Sequence, residues 1–229
     1  GGAGTGKLLP TGKVIDQLEV SGLGTVEVSM VDAANPLVFV EASSFGLTGT
    51  ELPEDIDART EVMQRLDSIR RHAAVVMGLA RSPESASPAV PMIGLVAPAQ
   101  DARTLAGEPN PAADGDLTAR IVSSGNIHRA LPLTGSICTT VAARIEGTLV
   151  HRNARPVEDP EADLRIQQPS GVLRVASKVL QRNGEWHAEF GATYRTQRRL
   201  FDGFVYVPAA RVPGLLSLRS ARSGGERAA

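Results

Sequence analysis

Before Arg144, the stretch Leu133-Thr-Gly-Ser-Ile-Cys-Thr-Thr-Val-Ala-Ala-Arg-Ile145 carries no charge and no side chain larger than leucine. It predicts a loop feeding the first turn of a small-residue helix that ends at Gly147. Val141, Ala142 and Ile145 suit a buried position, because small side chains let strands approach a helix closely from several sides. Such a helix is core, and the rest of the chain has to enclose it.

The rest supplies mostly strands. Val26 to Met30 and Leu37 to Val40 are short apolar runs, with Asn35-Pro36 marking a turn between them. Met92 to Ala97 and Leu117 to Ser123 repeat the pattern. Asn183-Gly184 is a strong hairpin signal between Val172–Leu180 and the period-two series Trp186, Ala188, Phe190, Ala192 and Tyr194. Phe204 to Val207 reads as a last strand. One amphipathic helix is expected over Pro53 to Ala80, its apolar face made by Val62, Leu66, Ile69, Ala73 and Val76. Many strands with one long helix and one apolar helix predict an α+β domain in which a curved sheet or barrel wraps a central helix.

Composition narrows the function classes. The 229 residues balance 24 basic against 25 acidic side chains, so no nucleic-acid or membrane-surface partner is indicated. One cysteine cannot build a disulfide framework, there is no long apolar run, and no signal peptide opens the sequence, which makes the cytoplasm the expected compartment. His72, His128, His151 and His187 lack metal-ligand spacing, so no metal site is expected. Gly1 to Gly6 and Gly22-Leu-Gly24 lack the strand-to-helix setting of a phosphate loop.

The lone cysteine, Cys138, is the candidate acid or base. Placed in the first turn of its helix, its thiolate would be favoured by the helix dipole and by unpaired amides; the alternative is a small buried hydrophobe.

Several longer segments carry a family likeness. Thr5-Gly-Lys-Leu-Leu-Pro-Thr-Gly12, Val31-Asp-Ala-Ala-Asn-Pro-Leu-Val-Phe-Val40, Leu47-Thr-Gly-Thr-Glu-Leu-Pro53, His128 to Thr148, Gln168-Pro-Ser-Gly-Val-Leu173 and Arg195 to Pro208 together resemble the PrpF-type isomerases. That family includes methylaconitate cis-trans isomerase and 4-oxalomesaconate tautomerase. The resemblance implies a diaminopimelate-epimerase-like fold of two similar domains facing each other across a cleft. It also implies that this chain matches the second half, with 1–25 connecting from an absent N-terminal domain and 26–208 forming the C-terminal domain; residues 209–229, rich in Gly, Ser, Arg and Ala, are expected to be a disordered tail.

The activity implied is double-bond isomerisation of an unsaturated di- or tricarboxylate without a cofactor. By the same resemblance Asn35, Thr134, Gly135, Ser136, Ile137, Ser170 and Gly171 would bind substrate carboxylates, and Gln168 stands where the family has histidine. Arg195, Arg198 and Arg199 could neutralise a polyanion or simply be solvated. The partners expected are a small carboxylate and the absent domain, with a homodimer possible. A non-catalytic carboxylate-binding remnant and a proline-racemase-like epimerase remain as alternatives.

Overall fold

The computed structural model describes residues 2–156, 159, 162–195, 198–208, 211 and 214. The chain divides into two units, Gly1–Tyr194 and Arg195–Ala229.

Within the described residues of the first unit the strands are β1 (Asp16–Val20), β2 (Gly24–Ala33), β3 (Asn35–Glu41), β4 (Met92–Pro98), β5 (Ala102–Arg103), β6 (Pro109–Asn110), β7 (Leu117–Ser123), β8 (Asn126–Ile127), β9 (Leu164–Gln168), β10 (Gly171–Arg182) and β11 (Glu185–Thr193). The α-helices are α1 (Pro53–Asp57), α2 (Thr60–Val76), α3 (Leu133–Ala143) and α4 (Leu149–Asn153). The main sheet runs β1-β2-β3-β4-β7-β9-β10-β11, with β8 attached to β7, while β5 and β6 form a separate ribbon.

Two pairs in the sheet are parallel, β3 with β4 and β7 with β9. Between them β4 and β7 are antiparallel. Each parallel pair is joined by a helical crossover, α1 and α2 in the first and α3 and α4 in the second. Crossovers of this kind are right-handed. Starting from strands of opposite direction, they therefore place their helices on opposite faces of the sheet. The packing follows. Val38, Val40, Ile93 and Leu95 pack with Leu66 and Ile69 of α2. Val31, Phe39, Ile121, Ile166 and Val175 pack with Cys138, Val141 and Ala142 of α3. Each fully buried large aliphatic side chain in these layers contributes about 2 kcal/mol.

The central helix is thus surrounded by strands, yet the expected barrel does not close. β1 and β11 lie at opposite ends of the strand order and do not pair. The result is a mixed sheet, open between its two edges.

Other expectations shift with tertiary context. The predicted helix from Pro53 to Ala80 is interrupted at Ala58 and Arg59, where Asp57 Oδ1 accepts the Ile127 amide at 3.0 Å and ties α1 to β8. Val76, expected on the apolar face, is 48% exposed, whereas Ile56 and Arg70 are buried. Residues 1–25, expected as a connector, carry β1, and Leu8 joins the core on the α3 side.

The Asn183-Gly184 turn is present, with φ of 53° and 81°. The strand after it does not keep one buried face. Its register shifts opposite Lys178 and Val179, so Ala188 faces Val179 while Phe190 faces Lys178 and Glu189 is the extra residue. A bulge of one residue moves all later side chains to the other face. Trp186 and Ala188 pack toward the α3 core, while Phe190 and Tyr194 are exposed.

In the second unit Leu200, Phe201, Phe204, Val205 and Tyr206 are exposed, and Arg199 pairs with Asp202 at 3.4 Å. The expected strand at Phe204–Val207 is not formed; these residues have no regular structure. The tail expected over 209–229 lies outside the described residues apart from Arg211 and Gly214.

Candidate active site

The topology brings three chain segments to one edge of the sheet. β7 and β9 are parallel and both run toward it, while β3, running the other way, begins there. The start of α3 lies at this edge too, as expected of a helix that follows the carboxyl end of a strand.

Pro132 occupies the N-cap with φ −56° and ψ 141°. The first hydrogen bond of the helix runs from Ser136 N to Pro132 O at 2.8 Å. The amides of Leu133, Thr134 and Gly135 therefore precede the helical ladder. No side chain caps them, and the first turn holds no acidic residue. Leu133 is 43% exposed and Thr134 half-buried, so the positive end of the helix lies at the surface.

Hydrogen bonds hold the neighbouring segments to this end. Asn35, the first residue of β3, donates from Nδ2 to Thr134 Oγ1 at 3.4 Å. Gln168, at the end of β9, accepts the Leu131 amide at 2.6 Å. Ser170 Oγ donates to Arg129 O at 2.6 Å. The approach to α3 is thus fastened on one side by β3 and on the other by the 168–170 loop.

The predicted site residues divide accordingly. Asn35 and Thr134 meet directly. Gly135 is buried and lets α3 lie close on the sheet: a Cβ there would stand 2.9 Å from Ile121 Cδ1 and 3.3 Å from Met92 Cε. Ser136 is the fourth residue of the helix, and its buried hydroxyl donates to Leu133 O at 2.8 Å. Ile137 is half-buried and faces Gly191, where an added Cβ would come within 2.4 Å of its Cγ2. Ser170 secures the helix approach, while it and Gly171 also line a cavity of about 440 Å3 beside Glu108 and Asp114. Those two acids make that cavity a poor place for a carboxylate.

Cys138 departs most from expectation. Because the helix starts at Leu133, the cysteine sits in its second turn, away from the unpaired amides. It is fully buried, and Sγ donates to Val31 O at 3.4 Å. Burial pushes the thiol up to about 12, with the charge of Asp32 acting in the same direction against the amides of Ala33 and Leu37. Burial of this kind favours the neutral thiol over the thiolate.

His128, just before the helix approach, has its imidazole pulled below the usual value by burial. Arg198 and Arg199, exposed, belong to the second unit. Among the described residues no cluster of His, Cys, Asp and Glu could hold a metal ion, and no helix is long and apolar enough to cross a membrane.

Sequence reasoning missed two residues. In sequence Gln168 signals only a missing histidine, yet it is the buried anchor of the helix approach. Asp32 was passed over, although a carboxylate inside an apolar strand is itself a signal.

A family profile described as PrpF protein matches residues 1–208. The 2-methyl-aconitate isomerase of Shewanella oneidensis is 37% identical over 205 residues, covering 89% of this chain and 51% of that protein. The 3-methylitaconate isomerase of Eubacterium barkeri is 39% identical over 220 residues, covering 92% and 55%. The (4E)-oxalomesaconate Delta-isomerase of a Novosphingobium strain is 29% identical over 206 residues, covering 90% and 51%. Among solved structures, that of methylitaconate-delta-isomerase superposes with a TM-score of 0.81 at 37% identity, covering 92% of this chain and 54% of that one. The chain spans about half the length of the curated relatives it matches. With matched segments running through both the sheet and the start of α3, this chain belongs to the PrpF family.

Proposed function

We propose that this chain is the carboxylate-binding half of an isomerase that shifts a double bond in an unsaturated di- or tricarboxylate, with 2-methylaconitate or 4-oxalomesaconate as the type of substrate. The observation that carries this reading is the surface-facing start of α3, with three amides ahead of the helical ladder and Asn35 held beside Thr134. Backbone amides fixed in advance stabilise a carboxylate, and the enolate-like charge that develops when an adjacent proton leaves, without reorganising. Asn35 supplies a neutral donor and acceptor that orient the carboxylate without adding charge.

Proton transfer is assigned outside this half. Burial pushes the Cys138 thiol up to about 12, and the start of α3 with β3 beside it presents amides, an asparagine and a threonine, with His128 farther back on the approach. The acid and base therefore come from the rest of a polypeptide of the relatives' length, facing these amides across a shared cleft. The reaction in this reading uses no cofactor.

The test combines binding and turnover. Titration with trans-aconitate, followed by amide NMR, is expected to shift Leu133, Thr134 and Gly135, and N35A to weaken the affinity about 3- to 10-fold, the worth of one hydrogen bond. The chain alone is expected to leave an unsaturated tricarboxylate unchanged in an ultraviolet assay, and a full-length polypeptide to isomerise it. Absence of any shift at Leu133 to Gly135 would sink the proposal.

A further inference from the structure

The turn that presents Asn35 is strained and is gripped from both faces of the sheet. Ala34, between β2 and β3, has φ of 64°, a left-handed conformation that alanine adopts only when its surroundings impose it. On the α3 face, Cys138 Sγ donates to Val31 O, and the amides of Ala33 and Leu37 lie against the same sulfur. One thiol thus touches both strands of the hairpin on either side of the turn.

On the opposite face stands Asp32, fully buried. Its Oδ2 accepts three hydrogen bonds, from Gly4 N at 2.8 Å, Thr5 N at 2.6 Å and Thr5 Oγ1 at 2.8 Å. Its own amide donates to Leu8 O at 2.9 Å. The glycine-rich opening of the family-like segment is therefore wrapped around this carboxylate. Asp32 Oδ1 is buried with no partner among the described residues. Burying a carboxylate with an unsatisfied oxygen is costly, and an apolar residue would pack the same space without that cost. The three bonds on Oδ2, all to the segment that covers the hairpin, are what the carboxylate provides.

We propose that Asp32 and Cys138 are positioning residues for Asn35, clamping the Ala34 turn from above and below so that Asn35 Nδ2 stays at Thr134 Oγ1 at the start of α3. This inference rests on the carboxylate-binding reading of that site and assigns a role to two buried polar groups that the chemistry itself leaves unused. Neither residue touches substrate. Their effect passes through the hairpin, and it does not require either group to titrate.

The experiment uses the whole chain. Asn35 side-chain amide resonances are recorded in the free protein, and trans-aconitate affinity is measured for wild type, C138A, C138S, D32N and T5V. T5V removes one of the Asp32 bonds and serves where D32N does not fold. Expected results are displaced or broadened Asn35 amide signals in C138A, D32N and T5V and an affinity about 3- to 10-fold weaker. C138S, still a donor to Val31 O, should fall nearer wild type. In an N35A background the same substitutions should add little. Unchanged Asn35 signals and wild-type affinity in C138A and T5V would overturn the proposal, as would losses that persist undiminished with N35A. If wild type itself fails to bind trans-aconitate, the functional reading falls, and the Asn35 signals of the free variants still decide whether the clamp exists.

Discussion

At the scale of single residues, depth below the surface decides what a polar group does. Cys138 and Thr134 are four residues apart on one helix, yet one is sealed in the core and the other lies beside unpaired amides at the surface. Because the folded thiol keeps its proton up to about 12, against an ordinary value of 9.0, it favours the folded state in its neutral form. That contribution is complete below the unfolded value and is lost as pH rises toward the folded one. C138A should cost about 1 kcal/mol near neutral pH and flatten part of the loss of stability above about pH 9, as measured by urea unfolding across that range. Ser177 is the opposite case, since its hydroxyl is buried without a partner among the described residues. S177A should therefore unfold within about 1 kcal/mol of wild type or be more stable; a loss above about 2 kcal/mol would mean that the hydroxyl has a partner in solution.

At the scale of elements, periodicity located the strands and helices but could not count a bulge. Trp186, Ala188, Phe190, Ala192 and Tyr194 form a regular alternation, and the Glu189 bulge exchanges its second half for Gly191 and Thr193 on the inner face. Gly191 is needed there because Ile137 of α3 fills the space a side chain would take. G191A should destabilise the protein by about 1–3 kcal/mol, the range for overpacking a filled site. Combining it with I137A should cost less than the two separate losses, in a double-mutant cycle by thermal or urea unfolding. The helix over Pro53–Ala80 shows the same limit. Its pattern was right for α2, while the break at Ala58–Arg59 follows from a bond to Ile127 far along the chain.

At the scale of the whole molecule, exposed surface is the informative quantity. Leu200, Phe201, Phe204, Val205 and Tyr206 are each more than four-fifths exposed. A run of this kind is more apolar than a freely soluble surface tolerates. The isolated chain should bind a hydrophobic dye and self-associate, and F204S with Y206S should reduce both; sedimentation that stays monomeric and dye-free in the unaltered chain would contradict this.

What could be read from residues in order was local. The apolar all-round composition of the α3 segment required a buried helix, Asn183-Gly184 required a hairpin, and Asn35 and Thr134 could each be named as candidate substrate contacts because both stand in family-like segments. Three features needed the folded chain: the open sheet in place of a barrel, the burial of Cys138, and the clamp on the Ala34 turn. Each depends on contacts between residues distant in sequence, such as Cys138 with Val31 and Asp32 with Thr5. Secondary-structure period follows from bonds a few residues long, whereas solvent access and hydrogen-bond partnership are set by which strands the two crossovers bring together.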